Sequence, residues 1–292
     1  MKECTLKTLW VQRPKNVTKL SCGRLLCMSG SITTTFPAYL NLLAALRTGI
    51  GWMSLLSSQY VCNVINSHCL EVKTVGMEAN NLGDIVLSKS DENLIYETIK
   101  QSQALVIGSG LGEQKQLYKY VLDNLDRIKI PIVVDAAALV YFYHNIQTVG
   151  RRVENQVWTP NQWELSKMFG DQFYNLSDKA KIDVLQQVSE QYGMIWIYKG
   201  VNPKVVTCRG ILYECSFGNP GMATTGMGDV LCGIIGSLLA QGLDILVSCQ
   251  VSLDVLGIGG DLCYKKLGNG LRSTDVCEYL PIAINKIIKR WK

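Results

Sequence analysis

The residues Gly218-Asn219-Pro220-Gly221-Met222-Ala223-Thr224-Thr225-Gly226-Met227-Gly228-Asp229-Val230-Leu231-Cys232-Gly233 combine backbone freedom with a carboxylate at the mouth of a helical pattern. A glycine-rich loop that enters a helix leaves backbone N–H groups near Gly226 to Asp229 without intrahelical partners, and the helix dipole adds positive potential there. Such a turn can hold a phosphoryl group, while Asp229 beside it can take a proton from a nearby hydroxyl. Asp is also a common helix N-cap, and spacing alone does not separate the two roles. A second glycine cluster, Gly108-Ser109-Gly110-Leu111-Gly112, follows the apolar run Ala104 to Ile107. It permits close backbone approach to a ligand or forms a plain turn. Its spacing is not the G-x-G-x-x-G of dinucleotide-binding domains.

These loops need elements to position them. Short apolar runs at Leu25 to Met28, Ile50 to Leu56, Ala104 to Ile107, Pro131 to Asp135, Gln156 to Thr159 and Met194 to Tyr198 predict buried strands. Helical windows lie at Ala38 to Arg47, Gln114 to Arg127 and Asp178 to Tyr192. This alternation predicts an α/β fold in three α/β/α layers around a mostly parallel sheet. Val205 to Cys208 and Ile211 to Cys215, joined by Arg209-Gly210, predict a hairpin. Helices at Asp229 to Gln241, Ile245 to Leu267 and Thr274 to Trp291 complete the pattern. No linker composition or internal repeat divides the chain, so residues 1–292 are expected to form a single domain.

Composition limits the class. Apolar residues make up 48% and charged residues 18% of the 292 residues, against about 25% charged in an ordinary soluble domain. A large buried interior follows, and the surplus would suit the buried interface of a homo-oligomer, which composition by itself does not establish. The net charge of +5 is scattered. Its densest group, Lys286, Lys289, Arg290 and Lys292, suits a solvated C-terminal helix face, and nucleic acid is not an expected partner. The closest of the eleven cysteines are Cys22 with Cys27, Cys62 with Cys69, and Cys208 with Cys215, none of them C-x-x-C. With only His68 and His144 beside them, core thiols in a reducing cytoplasm fit better than a disulfide framework or zinc site. Met1 to Lys19 lacks the apolar region of a secretory signal, and the apolar stretch Val230 to Ala240 is too short to span a bilayer.

The ordered motifs G-R-L-L-C-M-S-G-S (Gly23 to Ser31), A-A-L-R-T-G-I-G (Ala44 to Gly51), G-S-G-L-G (Gly108 to Gly112), V-V-D-A-A-A-L (Val133 to Leu139), T-P-N-Q-W-E (Thr159 to Glu164), K-G (Lys199, Gly200) and N-P-G-M-A-T-T-G-M-G-D-V-L (Asn219 to Leu231) carry a family signature. The chain resembles the ATP- or ADP-dependent NAD(P)H-hydrate dehydratases of the ribokinase-like superfamily, over about Lys19 to Leu280. The resemblance implies a metabolite-repair hydro-lyase that restores NADH or NADPH from the S form of its hydrate. One nucleotide, with Mg²⁺, would phosphorylate the ring hydroxyl, and elimination of phosphate would follow. It implies Asp229 as catalytic base, with Ala38, Gly110, Asn161 and Asp229 at the substrate. Lys199, Gly200, Val201, Asn202, Pro203, Gly226 and Gly228 would bind the nucleotide. A lysine ending a strand is, without the resemblance, more often simply solvated.

The chain departs from the family pattern at several points. Asn161 stands where a histidine is usual, Trp163 replaces a small residue, Pro203 replaces a threonine, and Phe36 replaces a glycine. Asn161 keeps hydrogen bonding but cannot carry positive charge. Pro203 removes a hydroxyl and an N–H together. Phe36 is expected to fill part of the substrate pocket. No room for a fused epimerase domain precedes the match, so the epimerase is expected to be a separate protein. Two alternatives remain: a small-alcohol kinase like the hydroxyethylthiazole kinases, which stops at the phosphoester, and a nucleotide-binding paralogue without turnover.

Overall fold

The computed structural model describes residues 13, 15–149 and 153–290. The signal-peptide reading of Met1 to Lys19 falls largely outside them, as do Trp291 and Lys292 of the expected C-terminal helix. Among the described residues nine strands form one sheet: β1 (Arg24–Met28), β2 (Trp52–Ser58), β3 (Val72–Met77), β4 (Ala104–Ile107), β5 (Ile132–Val134), β6 (Gln156–Trp158), β7 (Ile195–Tyr198), β8 (Lys204–Thr207) and β9 (Gly210–Glu214). Their order is β3-β2-β1-β4-β5-β6-β7-β8-β9. The strands are parallel from β3 through β7, and β8 and β9 add an antiparallel hairpin at one edge.

Ten α-helices among the described residues accompany the sheet: α1 (Phe36–Arg47), α2 (Gln59–Asn66), α3 (Lys89–Lys100), α4 (Lys115–Asp123), α5 (Ala137–Val149), α6 (Gln162–Phe169), α7 (Asp178–Tyr192), α8 (Met227–Ala240), α9 (Ile245–Leu267) and α10 (Ser273–Arg290). Successive strand residues supply opposite cores, as the pleat requires. Leu25, Cys27, Val106, Val133 and Ile197 pack with α1, α2, α8, α9 and α10. Leu26, Met28, Leu105, Ile107, Trp158 and Trp196 pack with α3 to α7. Three layers with a mostly parallel sheet therefore form as the alternating pattern predicts.

Two corrections concern apolar segments. The hairpin turns at Cys208-Arg209, one residue earlier than expected, because Gly210 takes the left-handed position (φ +86°) and opens β9. The α9 region is long and apolar enough to cross a membrane by length and composition (Ile245–Gly270, mean hydropathy 1.4), although polar residues interrupt its apolar runs. However, 61% of that window is buried inside the fold, with α8 and α10 packed against it. Ten described cysteines are free thiols, and all but Cys208 are buried.

The centre of the molecule is α8, apolar on every side and buried from Val230 to Ala240. Glycines let it sit close. A Cβ on Gly233 would come within 2.3 Å of the Asn41 carbonyl oxygen, and one on Gly236 within 2.5 Å of Val106 Cγ2. A comparable approach joins the ends of β4 and β5. Gly108 has φ +119°, and a Cβ there would lie 1.9 Å from the Asp135 carbonyl oxygen. Gly108→Ala is expected to cost about 3 kcal/mol or more, from left-handed strain plus overpacking, as a lowered urea midpoint; an unchanged midpoint would contradict this packing.

Candidate active site

The carboxyl ends of five parallel strands deliver one polar side chain each, directly or one residue on: Ser29 after β1, Ser109 after β4, Asp135 after β5, Thr159 after β6 and Lys199 after β7. This is the rim where open α/β sheets bind ligands, and the strand order reverses between β1 and β4. The five side chains interact. Ser29 Oγ donates to Asn41 Oδ1 (2.8 Å) and Asn41 Nδ2 lies 3.4 Å from Ser109 Oγ. Ser109 Oγ donates to Asp135 Oδ2 (2.9 Å), Thr159 Oγ1 donates to Asp135 Oδ1 (2.7 Å), and Lys199 Nζ donates to the same Oδ1 (2.9 Å).

Glu164 completes the cluster, its Oε2 lying 3.5 Å from Lys199 Nζ. It is held by a capping box at the start of α6. Asn161 Oδ1 accepts the Glu164 N–H (2.9 Å), while the Asn161 N–H donates to Glu164 Oε2 (2.7 Å). Asn161 Oδ1 is thus committed to the helix, and its amide nitrogen is what it can offer a ligand.

Burial and charge set the protonation states. Desolvation opposes ionisation of Asp135, but the Lys199 charge and the hydrogen bonds from Lys199, Thr159 and Ser109 outweigh it and hold the carboxyl below its ordinary range. Burial by itself would lower Lys199; Asp135 and Glu164 override that and keep the ammonium charged. Glu164 is pushed up, first by burial and then by Asp135, despite Lys199. The Lys199 side chain is only 19% exposed, so it is not a solvated strand-end lysine.

Asp229 occupies the first turn of α8, three residues after the N-cap, which is Gly226. The N-cap role considered for Asp229 is therefore taken by a glycine in the left-handed region (φ +92°), where a Cβ would meet Leu40 Cδ1 at 2.4 Å. No side chain caps this helix, so the Met227, Gly228 and Asp229 N–H groups face outward from the helix start. A Cβ on Gly228 would lie 3.2 Å from Lys199 Nζ, which puts the lysine head over this turn. Asn41 Nδ2 donates to the Asp229 carbonyl oxygen (2.8 Å), tying the turn to α1. Burial above all, then the negative charges of Asp135 and Glu164, raise the Asp229 carboxyl to about 7 against the pull of Lys199.

A cavity of about 510 Å³ opens beside Lys199, lined by Asn161, Trp163, Lys199, Gly200, Val201 and Asn202 among others. It gathers most of the residues expected at a nucleotide. Pro203 is not among those lining it; its carbonyl oxygen instead accepts the Cys215 N–H (3.0 Å). Gly110, at φ +66°, lies against Pro37 of α1, and its carbonyl oxygen accepts the Thr34 hydroxyl (3.0 Å). Ala38 is fully buried, near Gly30. Phe36, expected to fill part of the substrate pocket, opens α1 with 42% exposure. Cys232 is core, its Sγ 3.5 Å from Thr159 Oγ1. Asp135, Glu164, Asn41 and Ser109 had no role in the sequence reading. Position just beyond a strand end is the signal that marks Asp135 and Ser109.

Among the described residues no group of three His, Cys, Asp or Glu could hold a metal ion. Mg²⁺ commonly uses one or two carboxylates together with substrate phosphates, and the acidic cluster around Lys199 is compatible with that mode.

The model of the NAD(P)H-hydrate dehydratase family matches residues 25–282. The chain belongs to that family. The bifunctional NAD(P)H-hydrate repair enzyme of Dictyoglomus turgidum is 29% identical over 279 residues, 94% of this chain and 53% of that protein. The chain thus spans about half the length of the first curated relatives it matches. A ribokinase-like superfamily protein from Enterococcus faecalis has a similar structure (TM-score 0.78, 22% identity, 98% of this chain and 95% of that one). So does the ADP/ATP-dependent NAD(P)H-hydrate dehydratase of Bacillus subtilis co-crystallized with ATP/Mg²⁺ (TM-score 0.77, 20% identity, 99% and 97%). The fold is ribokinase-like.

The buried cluster gives a direct test. Lys199→Met would leave Asp135 and Glu164 buried without their cation and is expected to cost about 3–5 kcal/mol in denaturant unfolding. Adding Asp135→Asn in the same chain should recover part of that loss. Purely additive losses would show that the two side chains do not act as a pair.

Proposed function

We propose that the protein uses ADP or ATP to remove water from the S hydrate of NADH or NADPH, with Asp229 as the base. The observation that carries this reading is the uncapped start of α8, which sets Asp229 in the same turn as the outward N–H groups of Met227 and Gly228 and under the Lys199 head, with burial pushing the carboxyl up to about 7. A base poised near neutrality can accept the ring hydroxyl proton as the oxygen attacks the terminal phosphoryl group. The new O–P bond replaces the bond to the departing nucleotide, and the helix N-terminus balances the negative charge that gathers on the phosphoryl oxygens. Loss of phosphate from the ring carbon and of a proton from its neighbour then restores the double bond.

In this reading the nucleotide occupies the cavity formed by Asn161, Lys199, Gly200, Val201 and Asn202, with Pro203 behind it, and its terminal phosphate reaches Gly226 and Gly228. The nicotinamide lies near Gly110, Asn161 and Asp229, while Ala38 is fully buried and does not reach it. Mg²⁺ would travel with the phosphates and supply charge neutralisation. Lys199, held by Asp135 and Glu164, contributes position and field at Gly228. The R hydrate would depend on a separate epimerase activity. The chain acts in this proposal as a single catalytic domain, working in the cytoplasm and assembled as a homo-oligomer.

The test is recovery of the reduced-nicotinamide absorbance when purified protein receives the S hydrate, Mg²⁺ and either nucleotide; no recovery with either would refute the reading, and a stable phosphoester would point to a kinase. Asp229→Asn should lower kcat by about 10²–10⁴-fold. In the wild type, kcat/KM should rise with pH through about 7, where the carboxyl ionises; a profile flat between pH 5 and 8 would contradict the assignment.

The same shift has a stability consequence. The unfolded carboxyl ionises near 3.8 and the folded one near 7, so ionising Asp229 costs stability as pH rises between those values. Asp229→Asn removes that cost, and its melting temperature should exceed that of the wild type at pH 8, with the gap shrinking as pH falls towards 4. A variant less stable than the wild type at pH 8 would contradict the assigned shift.

A further inference from the structure

Trp163 is the second residue of α6 and 61% exposed, in a position where the family pattern has a small residue. The helix start that carries it is fixed by the Asn161–Glu164 capping box, so the indole projects from a rigid support. Lys167, one turn further on, places its ammonium 5.3 Å from the ring centroid. A single exposed apolar side chain is ordinary. Here, however, Trp163, Ile182 of α7, Tyr198 of β7 and Val201 of the β7–β8 loop all line the same cavity of about 510 Å³. Val201 is itself 94% exposed. Lys199, Lys204 and Asn161 line the same cavity. A ligand with a charged portion and a flat apolar face matches that lining.

We propose that Trp163 is a specificity-determining residue, a platform on which the base of the nucleoside di- or triphosphate stacks. This rests on the nucleotide reading of the cavity and adds to it an aromatic contact that the family pattern does not supply. Stacking acts on the ring face, so Trp163 sets affinity for the base and leaves binding of the phosphates unaffected.

Calorimetry of the intact protein with ADP and with base-free tripolyphosphate separates these terms. Trp163→Ala should weaken ADP binding about tenfold and leave tripolyphosphate binding unchanged, whereas Trp163→Phe should retain most of the ADP affinity. ADP should also quench tryptophan fluorescence in the wild type, and that quench should vanish in Trp163→Phe. Equal loss of ADP and tripolyphosphate binding in Trp163→Ala would mean a general structural role and overturn the proposal. Unchanged ADP binding would overturn it while leaving the nucleotide reading intact. Failure of the wild type to bind ADP or ATP would overturn both.

Discussion

One ammonium group organises this molecule's functional rim. Lys199 Nζ, at the end of β7, is the buried cation between Asp135 and Glu164, which come from the end of β5 and the start of α6. A buried pair of this kind is costly to desolvate, and breaking it is costlier still. The arrangement therefore fixes where the ends of β5 and β7 and the start of α6 can lie. Thr159 and Ser109 supply further hydrogen bonds to Asp135, so little of its polarity is left unpartnered.

The consequence reaches Asp229. Burial is the first reason the carboxyl is pushed up, and the negative charges of Asp135 and Glu164 add to it against the pull of Lys199. Among the three acids Asp229 carries the shift towards neutrality. The glycines of α8 matter for the same reason. Gly226 allows the tight entry, Gly233 and Gly236 bring the helix down onto α1 and β4, and the carboxyl is carried to the rim rather than left above it.

Much of this was legible beforehand. The β4 boundaries match the apolar run, α9 matches its window, and α8 starts within the glycine-rich segment. Edge strand β3 escaped because Val72–Met77 mixes exposed and buried positions and contains Gly76, so neither alternation nor an apolar run announces it. Helix α5 is rich in apolar residues and lacks a clear polar stripe, while α6 has only eight residues and starts inside a motif taken for its loop chemistry. Asp135 and Glu164 stood in quoted motifs, yet their partnership depends on three loops meeting in space. No spacing in the chain encodes that distance.

The account turns on the ionisation of Asp229, and carbon-13 titration of its carboxyl group measures it directly, with Asp229→Asn giving the assignment. The expected midpoint is near 7, falling in Glu164→Gln because one of the opposing negative charges is removed. A midpoint near the ordinary 3.8, unmoved by Glu164→Gln, would contradict it.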